Sequence, residues 1–193
     1  TESAKLFATL LLTLEGTPFL LQGEELGMTN AVYTTIEEYN DVQTVNVYRE
    51  QVAAGADPTV TFAAVQATSR DRSRSPYQWD ATPHAGFTSG RPWIGANPNY
   101  VTINRAAEVA NPDSVFHYYR QLIALRKTTS ALVYGEFMPQ DAPEQLYVYR
   151  RVYAGQSYQV VLNLSDQVVR YTCVGRRLIG NYVAMDKNRL QPY

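Results

Sequence analysis

The spacing of apolar residues changes near residue 132, and this change limits the fold more than any other feature of the chain. Upstream, apolar residues recur at helical intervals; downstream, they alternate in short runs separated by turn residues. Residues 3–14 place Ala4, Phe7, Ala8, Leu10, Leu11 and Leu14 on one broad stripe, which predicts a helix with Ser3 as its N-cap. Gly16-Thr17-Pro18 ends it. Phe19-Leu20-Leu21, bounded by Gly23, is then a continuous apolar run, the pattern of a parallel-type strand buried on both faces. Further helical patches are predicted at 41–53 and 59–69, inside a long, weakly periodic region that includes a Pro/Gly/Asn-rich stretch at 83–100. Asn111-Pro112-Asp113 predicts a helix start with proline in the first turn. Val115, Phe116, Tyr119, Leu122, Ile123 and Leu125 supply its apolar face as far as about Lys127. After residue 132 the expected strands are 134–138, 146–153, 158–164, 168–173 and 177–179, with turns at Ala154-Gly155-Gln156 and Ser165-Asp166-Gln167. The expected class is α+β, with a boundary near residue 130 that separates 1–130 from an antiparallel β domain at 131–193.

Composition narrows the function classes. Apolar residues at 45% and charged residues at 18% describe a globular chain with a core. Seventeen basic residues against eighteen acidic ones leave a net charge of −1, so no global field attracts nucleic acid or an anionic membrane. A neutral or small ligand fits better. The lone Cys173 offers no internal disulfide, which agrees with a reducing compartment and makes the cytoplasm the expected location. Residues 1–5 carry no basic leader pattern, and Leu10-Leu11-Leu12 is too short to span a bilayer. Fifteen Tyr against six Phe favour amphipathic rings. Such rings can stack on sugars, but packing in sheets and at interfaces is the stronger reading.

Two polar constellations stand out. Gln22-Gly23-Glu24-Glu25 follows the predicted buried strand, and adjacent carboxylates invite a glycosidase reading. Neighbouring residues on an extended chain point to opposite sides, however, so support of the local loop by Glu24 and Glu25 is favoured over shared chemistry. Ser69-Arg70-Asp71-Arg72-Ser73-Arg74-Ser75-Pro76-Tyr77-Gln78-Trp79-Asp80 is the densest polar cluster. Its arginines offer planar forks of donors to a polar ligand; the alternative is that they pair with Asp71, Asp80 or helix-end carbonyls. One is expected to reach a ligand and the others to order the loop. His84 and His117 are too isolated for a metal site, and neither a G-x-S-x-G elbow nor a glycine-rich phosphate loop occurs. No metal and no cofactor are expected.

Three ordered motifs carry a resemblance. Gly16-Thr17-Pro18-Phe19-Leu20-Leu21-Gln22-Gly23-Glu24-Glu25-Leu26-Gly27-Met28-Thr29-Asn30 resembles the last barrel strand of α-amylase-superfamily α-glucosidases. Ser69-Arg70-Asp71 through Asp80, followed by Ala85-Gly86-Phe87-Thr88, is the second, and Pro92-Trp93-Ile94 with Asn97-Pro98-Asn99-Tyr100 is the third. Together with Asp113-Ser114-Val115-Phe116 and residues 122–127, they cover nearly the whole chain. The group resembled comprises oligo-1,6-glucosidases, dextran glucosidases and trehalose-6-phosphate hydrolases.

The resemblance implies a (β/α)8 barrel followed by a β-sandwich, and retaining, exo-acting hydrolysis of short α-glucosides. It also implies that the nucleophilic Asp, the acid/base Glu and an Asn-His-Asp motif precede the region represented here; no Asn-His-Asp occurs in this chain. The expected catalytic residues in this chain are therefore none, and the chain by itself is expected to be inactive. Arg74 matches the second Arg of the family's Arg-Asp-x-x-Arg motif, which implies a hydrogen bond to glucose in the nonreducing-end subsite; Arg70 and Asp71 match the same motif and are assigned to the loop. Arg72-Ser73, Tyr77 and Leu21 depart from the usual Asn-Ala, Met and Tyr. The implied partner is an α-glucoside or short gluco-oligosaccharide, with neither nucleic acid nor membrane, and exposed barrel surface would be covered by dimerisation or repacking. The rival class is a noncatalytic carbohydrate-binding or docking module, or a catalytically silent relative such as an amino-acid-transporter heavy chain.

Overall fold

The computed structural model describes residues 1–182 and 188–193. In chain order it contains helices α1 (Glu2–Thr13), α2 (Val42–Ala53), α3 (Pro58–Thr68), α4 (Arg105–Ala110), α5 (Val115–Thr128) and α6 (Ser130–Tyr134). The strands β1 (Glu136–Pro139), β2 (Leu146–Tyr153), β3 (Gln156–Asn163), β4 (Val169–Arg170) and β5 (Arg189–Leu190) follow. The chain divides into two compact units: Thr1–Gly27 with Asn111–Tyr193, and Met28–Ala110. All the strands lie in the first unit, so the α+β character is that unit's.

In the first unit α1 packs on α5. Ala8 and Leu12 meet Val115, Tyr118, Tyr119 and Leu122, all buried, as the two apolar stripes require. β1, β2 and β3 form an antiparallel sheet in that order, with Tyr149 opposite Val160 and Val148 opposite Val161. The tight turn between β2 and β3 places Ala154 (φ 48°) and Gly155 (φ 77°) in the left-handed region. Alternation sorts the sheet's side chains: Tyr149, Val160 and Leu162 pack with Leu6 of α1, while Leu146 and Val148 pack with Leu190. Tyrosine serves here as a core residue with a polar tip: the Tyr149 hydroxyl lies 2.5 Å from Thr13 Oγ1, and that of Tyr118 lies 2.7 Å from Thr9 Oγ1.

Two arginines bind the end of α1 within this unit. Arg151 is fully buried and donates to the carbonyls of Thr13 and Gly135, both at 2.7 Å. Arg126 donates to Leu12 at 2.9 Å, Leu14 at 3.3 Å and Gly16 at 2.7 Å. Terminal helix carbonyls lack intrahelical donors and carry partial negative charge, so guanidinium groups suit them.

The second unit is built on α2, α3, α4 and short 3-10 turns. Asp41 caps α2, accepting from Thr44, and Asp57 caps α3, accepting from Thr59 and Val60, with Pro58 in the first turn. The core of this unit is aromatic: Tyr33 and Tyr39 meet edge to face at 5.3 Å beside Ala31 and Ile94, and Phe62 lies 6.2 Å from Tyr39.

Several expected elements are corrected. Residues 17–21 form no strand: Phe19, Leu20 and Leu21 are 83%, 45% and 54% exposed, because no parallel neighbour is present among the described residues to pair with them. Helix α1 is capped at Thr1 rather than Ser3, because the ladder already starts with Lys5 N–H on the Thr1 carbonyl. Asn111-Pro112-Asp113 is a turn, closed by Asn111 onto Asp113 N–H and Ser114 N–H, and α5 starts after Ser114, whose Oγ accepts from His117 N–H. Tyr134 ends α6 instead of opening a strand. The run expected at 168–173 pairs only over Val169–Arg170, and residues 177–179 form no strand; Arg189–Leu190 provides the partner instead.

Candidate functional site

The polar cluster that dominates the sequence is organised around two buried carboxylates of the second unit. Asp71, 1% exposed, accepts from the backbone N–H groups of Asn40 and Asp41 with one oxygen, each at 2.7 Å. This ties the 70–73 turn to the start of α2. Ser69 caps that turn by accepting from Asp71 N–H at 3.3 Å, and receives the Thr44 hydroxyl at 2.9 Å.

Asp41 is the second carboxylate. One oxygen accepts from the Thr44 hydroxyl at 2.8 Å; the other takes Arg70 at 2.7 Å and lies 4.0 Å from Arg74. Burial opposes its charge, but hydrogen bonds from Thr44 and Arg70 outweigh that cost and hold the carboxyl below its usual range. Two cations therefore share one carboxylate. Arg70 makes the close contact, whereas Arg74 is half-exposed and approaches Asp41 only to 4.0 Å.

The three arginines have three jobs. Arg70 pairs with Asp41 rather than with Asp71, and Arg72 donates to the carbonyl of Ala67 near the end of α3 at 2.8 Å. Asp80 accepts from the backbone N–H of Thr82 at 2.8 Å, and its hydroxyl also bonds that carboxylate. Expecting Asp71 and Asp80 as arginine partners overlooked Asp41 because it lies 29 residues from Arg70. Its only sequence signal is its place as a helix cap.

The downstream part of the cluster is held by main-chain contacts. The N–H of Trp79 donates to Ala85 at 2.9 Å, and its carbonyl accepts from Ala106 at 3.0 Å. Gln78 is fully buried and donates to Asn99 at 3.1 Å. Residues His84, Ala85 and Gly86 all lie in the left-handed region, with φ of 58°, 60° and 64°. Gly86 is required there, since a Cβ would stand 2.6 Å from the Asp80 carboxylate.

Glu24 and Glu25 lie in the first unit, in the 24–26 turn. Glu25 accepts from Gly23 N–H at 2.9 Å, while one buried oxygen of Glu24 receives no donor among the described residues. Burial, and then the charges of Glu24 and Glu25, push the Tyr119 hydroxyl up to about 12. His117 lies 5.5 Å from Phe116, ring centre to ring centre, and His84 lies in the left-handed loop. Among the described residues no group of three or more His, Cys, Asp or Glu could hold a metal ion, and no helix is long and apolar enough to cross a membrane.

An arginine-rich turn locked to a capped helix, beside a tightly held tryptophan loop, is the arrangement in which the chain meets a known family. Residues 1–135 match the α-amylase family through its catalytic domain. The chain belongs to that family. It is 41% identical over 206 residues to the oligo-1,6-glucosidase of Halalkalibacterium halodurans, covering 100% of this chain and 36% of that protein. Trehalose-6-phosphate hydrolase of Escherichia coli is 42% identical over 168 residues, covering 86% of this chain and 30% of the relative. The crystal structure of trehalulose synthase MutB from Pseudomonas mesoacidophila MX-45 is similar with a TM-score of 0.92 at 38% identity, over 100% of this chain and 37% of that one. The chain thus spans about a third of the length of these relatives.

Proposed function

We propose that this chain is the carboxyl-terminal part of a retaining, exo-acting α-glucosidase that acts on α-1,6- or α-1,4-linked gluco-oligosaccharides in the cytoplasm. In this reading residues 1–130 supply the last part of a (β/α)8 barrel and residues 131–193 a β-sandwich. The observation that carries it is the geometry of the Arg-Asp-x-x-Arg segment. Asp71 fixes the turn through two backbone hydrogen bonds, Arg70 is tied to Asp41, and Arg74 remains half-exposed with donors to spare. Arg74 is the sugar contact, with Arg70 a lesser one, and Asp71, Glu24 and Glu25 support the loops.

The chemistry proposed for the whole protein is double displacement: one carboxylate attacks the anomeric carbon while a carboxylic acid protonates the leaving oxygen, and water then releases the glucosyl group. Those carboxylates belong to other parts of the barrel, so this chain is inactive by itself. Hydrolysis of an aryl α-glucoside by the purified 193-residue chain would refute that inactivity. Recovery of adjoining coding sequence without the family's catalytic Asp and Glu would refute the enzyme reading. Isomaltose binding to the isolated chain would favour a noncatalytic sugar-binding module instead.

A further inference from the structure

Lysines on a helix ordinarily run their stems along apolar neighbours and leave the ammonium in water. Lys5 does not. It is only 6% exposed, on the face of α1 that also carries Thr9, and its ammonium lies 5.9 Å from the centre of the Tyr118 ring. Of the three donors on that ammonium, one goes to the carbonyl of Asp113. Among the described residues Lys5 forms no salt bridge. A carbonyl and a ring face are both neutral, so a full positive charge is buried with no described counter-charge in contact with it, a costly arrangement unless an anion pairs with it.

Lys5 lines a cavity of about 140 Å³ together with Asp113, Ser114, Tyr118, Gln121 and Asn181, all within the first unit. Asp113 and Tyr118 are the residues that hold the ammonium, so the charged end of Lys5 is what meets the cavity. Ser114 caps α5 by accepting from His117 N–H at 3.3 Å, which leaves its own hydroxyl hydrogen to give. The N-terminus of α5 adds partial positive charge on the same side. Gln121 and Asn181 bring side-chain amides; Asn181 donates to the Glu2 carbonyl at 3.3 Å and has a second N–H. The opposing charge is the carboxylate of Asp113. That residue is exposed and its charge is screened by water, whereas the charge of the buried Lys5 is screened much less.

Volume and donor set define the ligand class. At about 140 Å³ the cavity is well below the roughly 300–1,000 Å³ of clefts that enclose drug-sized ligands, so a sugar chain does not fit. An ammonium, a hydroxyl, amides and a helix N-terminus are donors, which suit an oxyanion; a cation would find only the exposed Asp113 carboxylate. We propose that this cavity binds one phosphate-sized oxyanion, with Lys5 as its counter-charge and Ser114, Gln121 and Asn181 as further donors. The bound ion neutralises Lys5 and ties α1 to the start of α5, so the first unit grows more stable as the oxyanion concentration rises. None of these residues belongs to the second unit, which holds Arg74, and the site rests on neither the glucosidase nor the barrel reading.

The test titrates inorganic phosphate into the isotope-labelled 193-residue chain, with ionic strength held constant by chloride, and follows amide resonances and the melting temperature. Saturable shifts are expected at Ser114, Val115 and Asn181, with a melting temperature that rises as phosphate is added. Lys5→Met should weaken binding by about tenfold or more, the equivalent of one charge-assisted hydrogen bond. Gln121→Ala and Asp113→Asn alter exposed residues and should leave folding intact, so they decide the matter if Lys5→Met fails to fold. The first should weaken phosphate binding; the second should tighten it, because a like charge is removed. Shifts that do not saturate, the same shifts with chloride alone, tighter binding of calcium at these amides, unaltered binding by Gln121→Ala, or weaker binding by Asp113→Asn would overturn the proposal. Glucose 6-phosphate shifting the same amides would assign the site to phosphate monoesters as well, and its exclusion would assign it to the free ion; either result upholds an oxyanion site.

Discussion

Replacing Arg151 by methionine tests whether a buried guanidinium bonded to main-chain carbonyls stabilises the first unit. The side chain is 0% exposed, and its two recorded hydrogen bonds run to the Thr13 and Gly135 carbonyls at 2.7 Å. Burial lowers its pKa, which is the signature of a costly desolvation. Each charge-assisted bond contributes about 1.5–3 kcal/mol, so roughly 3–6 kcal/mol of favourable interaction is removed. Methionine recovers part of that by dispensing with the buried charge, an effect that reaches about 1–4 kcal/mol when whole buried ion pairs are replaced. It also strands two carbonyls, one at the end of α1, where the partial negative charge makes an orphan costly. The net expectation is a loss of about 2–4 kcal/mol. Urea unfolding of the chain, followed by far-ultraviolet circular dichroism, should show the midpoint falling by about 1–2 M for m near 2 kcal/mol per M. Arg151→Lys, which keeps the charge but cannot reach both carbonyls in one plane, should fall between. A methionine variant as stable as the wild type would refute the reasoning, because desolvation would then outweigh both hydrogen bonds.

Gly135→Ala should cost about 1–3 kcal/mol in the same assay, because a Cβ there would stand 2.3 Å from the Ala131 carbonyl oxygen and 3.0 Å from that of Val152. Asp41 has a depressed folded pKa, so its contribution is present above the unfolded value of about 3.9 and is lost as pH falls through the folded value. Asp41→Asn should therefore flatten the acid limb of stability below about pH 4, measured by acid titration of unfolding. Arg74→Ala should change stability by less than about 1 kcal/mol, since its contact with Asp41 is 4.0 Å and half-exposed. In a full-length α-glucosidase carrying this segment, the same substitution should lower kcat/KM at least tenfold; unchanged kinetics would remove Arg74 from the sugar site.

Local chemistry made several elements legible in advance. Asp57-Pro58 announces α3 because a carboxylate cap and a proline in the first turn both satisfy a helix start. Alternation over 146–153 predicts β2 because period two puts Tyr149 and Val148 on opposite faces. Asn111-Pro112-Asp113 misled because its turn chemistry resembles a cap, while the actual capping hydroxyl is Ser114. At the candidate site the arginine cluster and Asp71 were visible in the sequence. Asp41 was not, because its pairing with Arg70 depends on where two distant segments fold.

Strand formation at 17–21 shows the division most clearly. Sequence alone determined that Phe19-Leu20-Leu21 prefers an extended, buried setting, since that preference is a property of consecutive apolar side chains. Whether the strand exists was decided by tertiary structure, because its ladder hydrogen bonds must come from a neighbouring strand, and none among the described residues pairs with it. The same holds for Arg151. Its side chain fixes a fork of donors, but only the meeting of β2 with the end of α1 converts that fork into a buried clasp on two carbonyls.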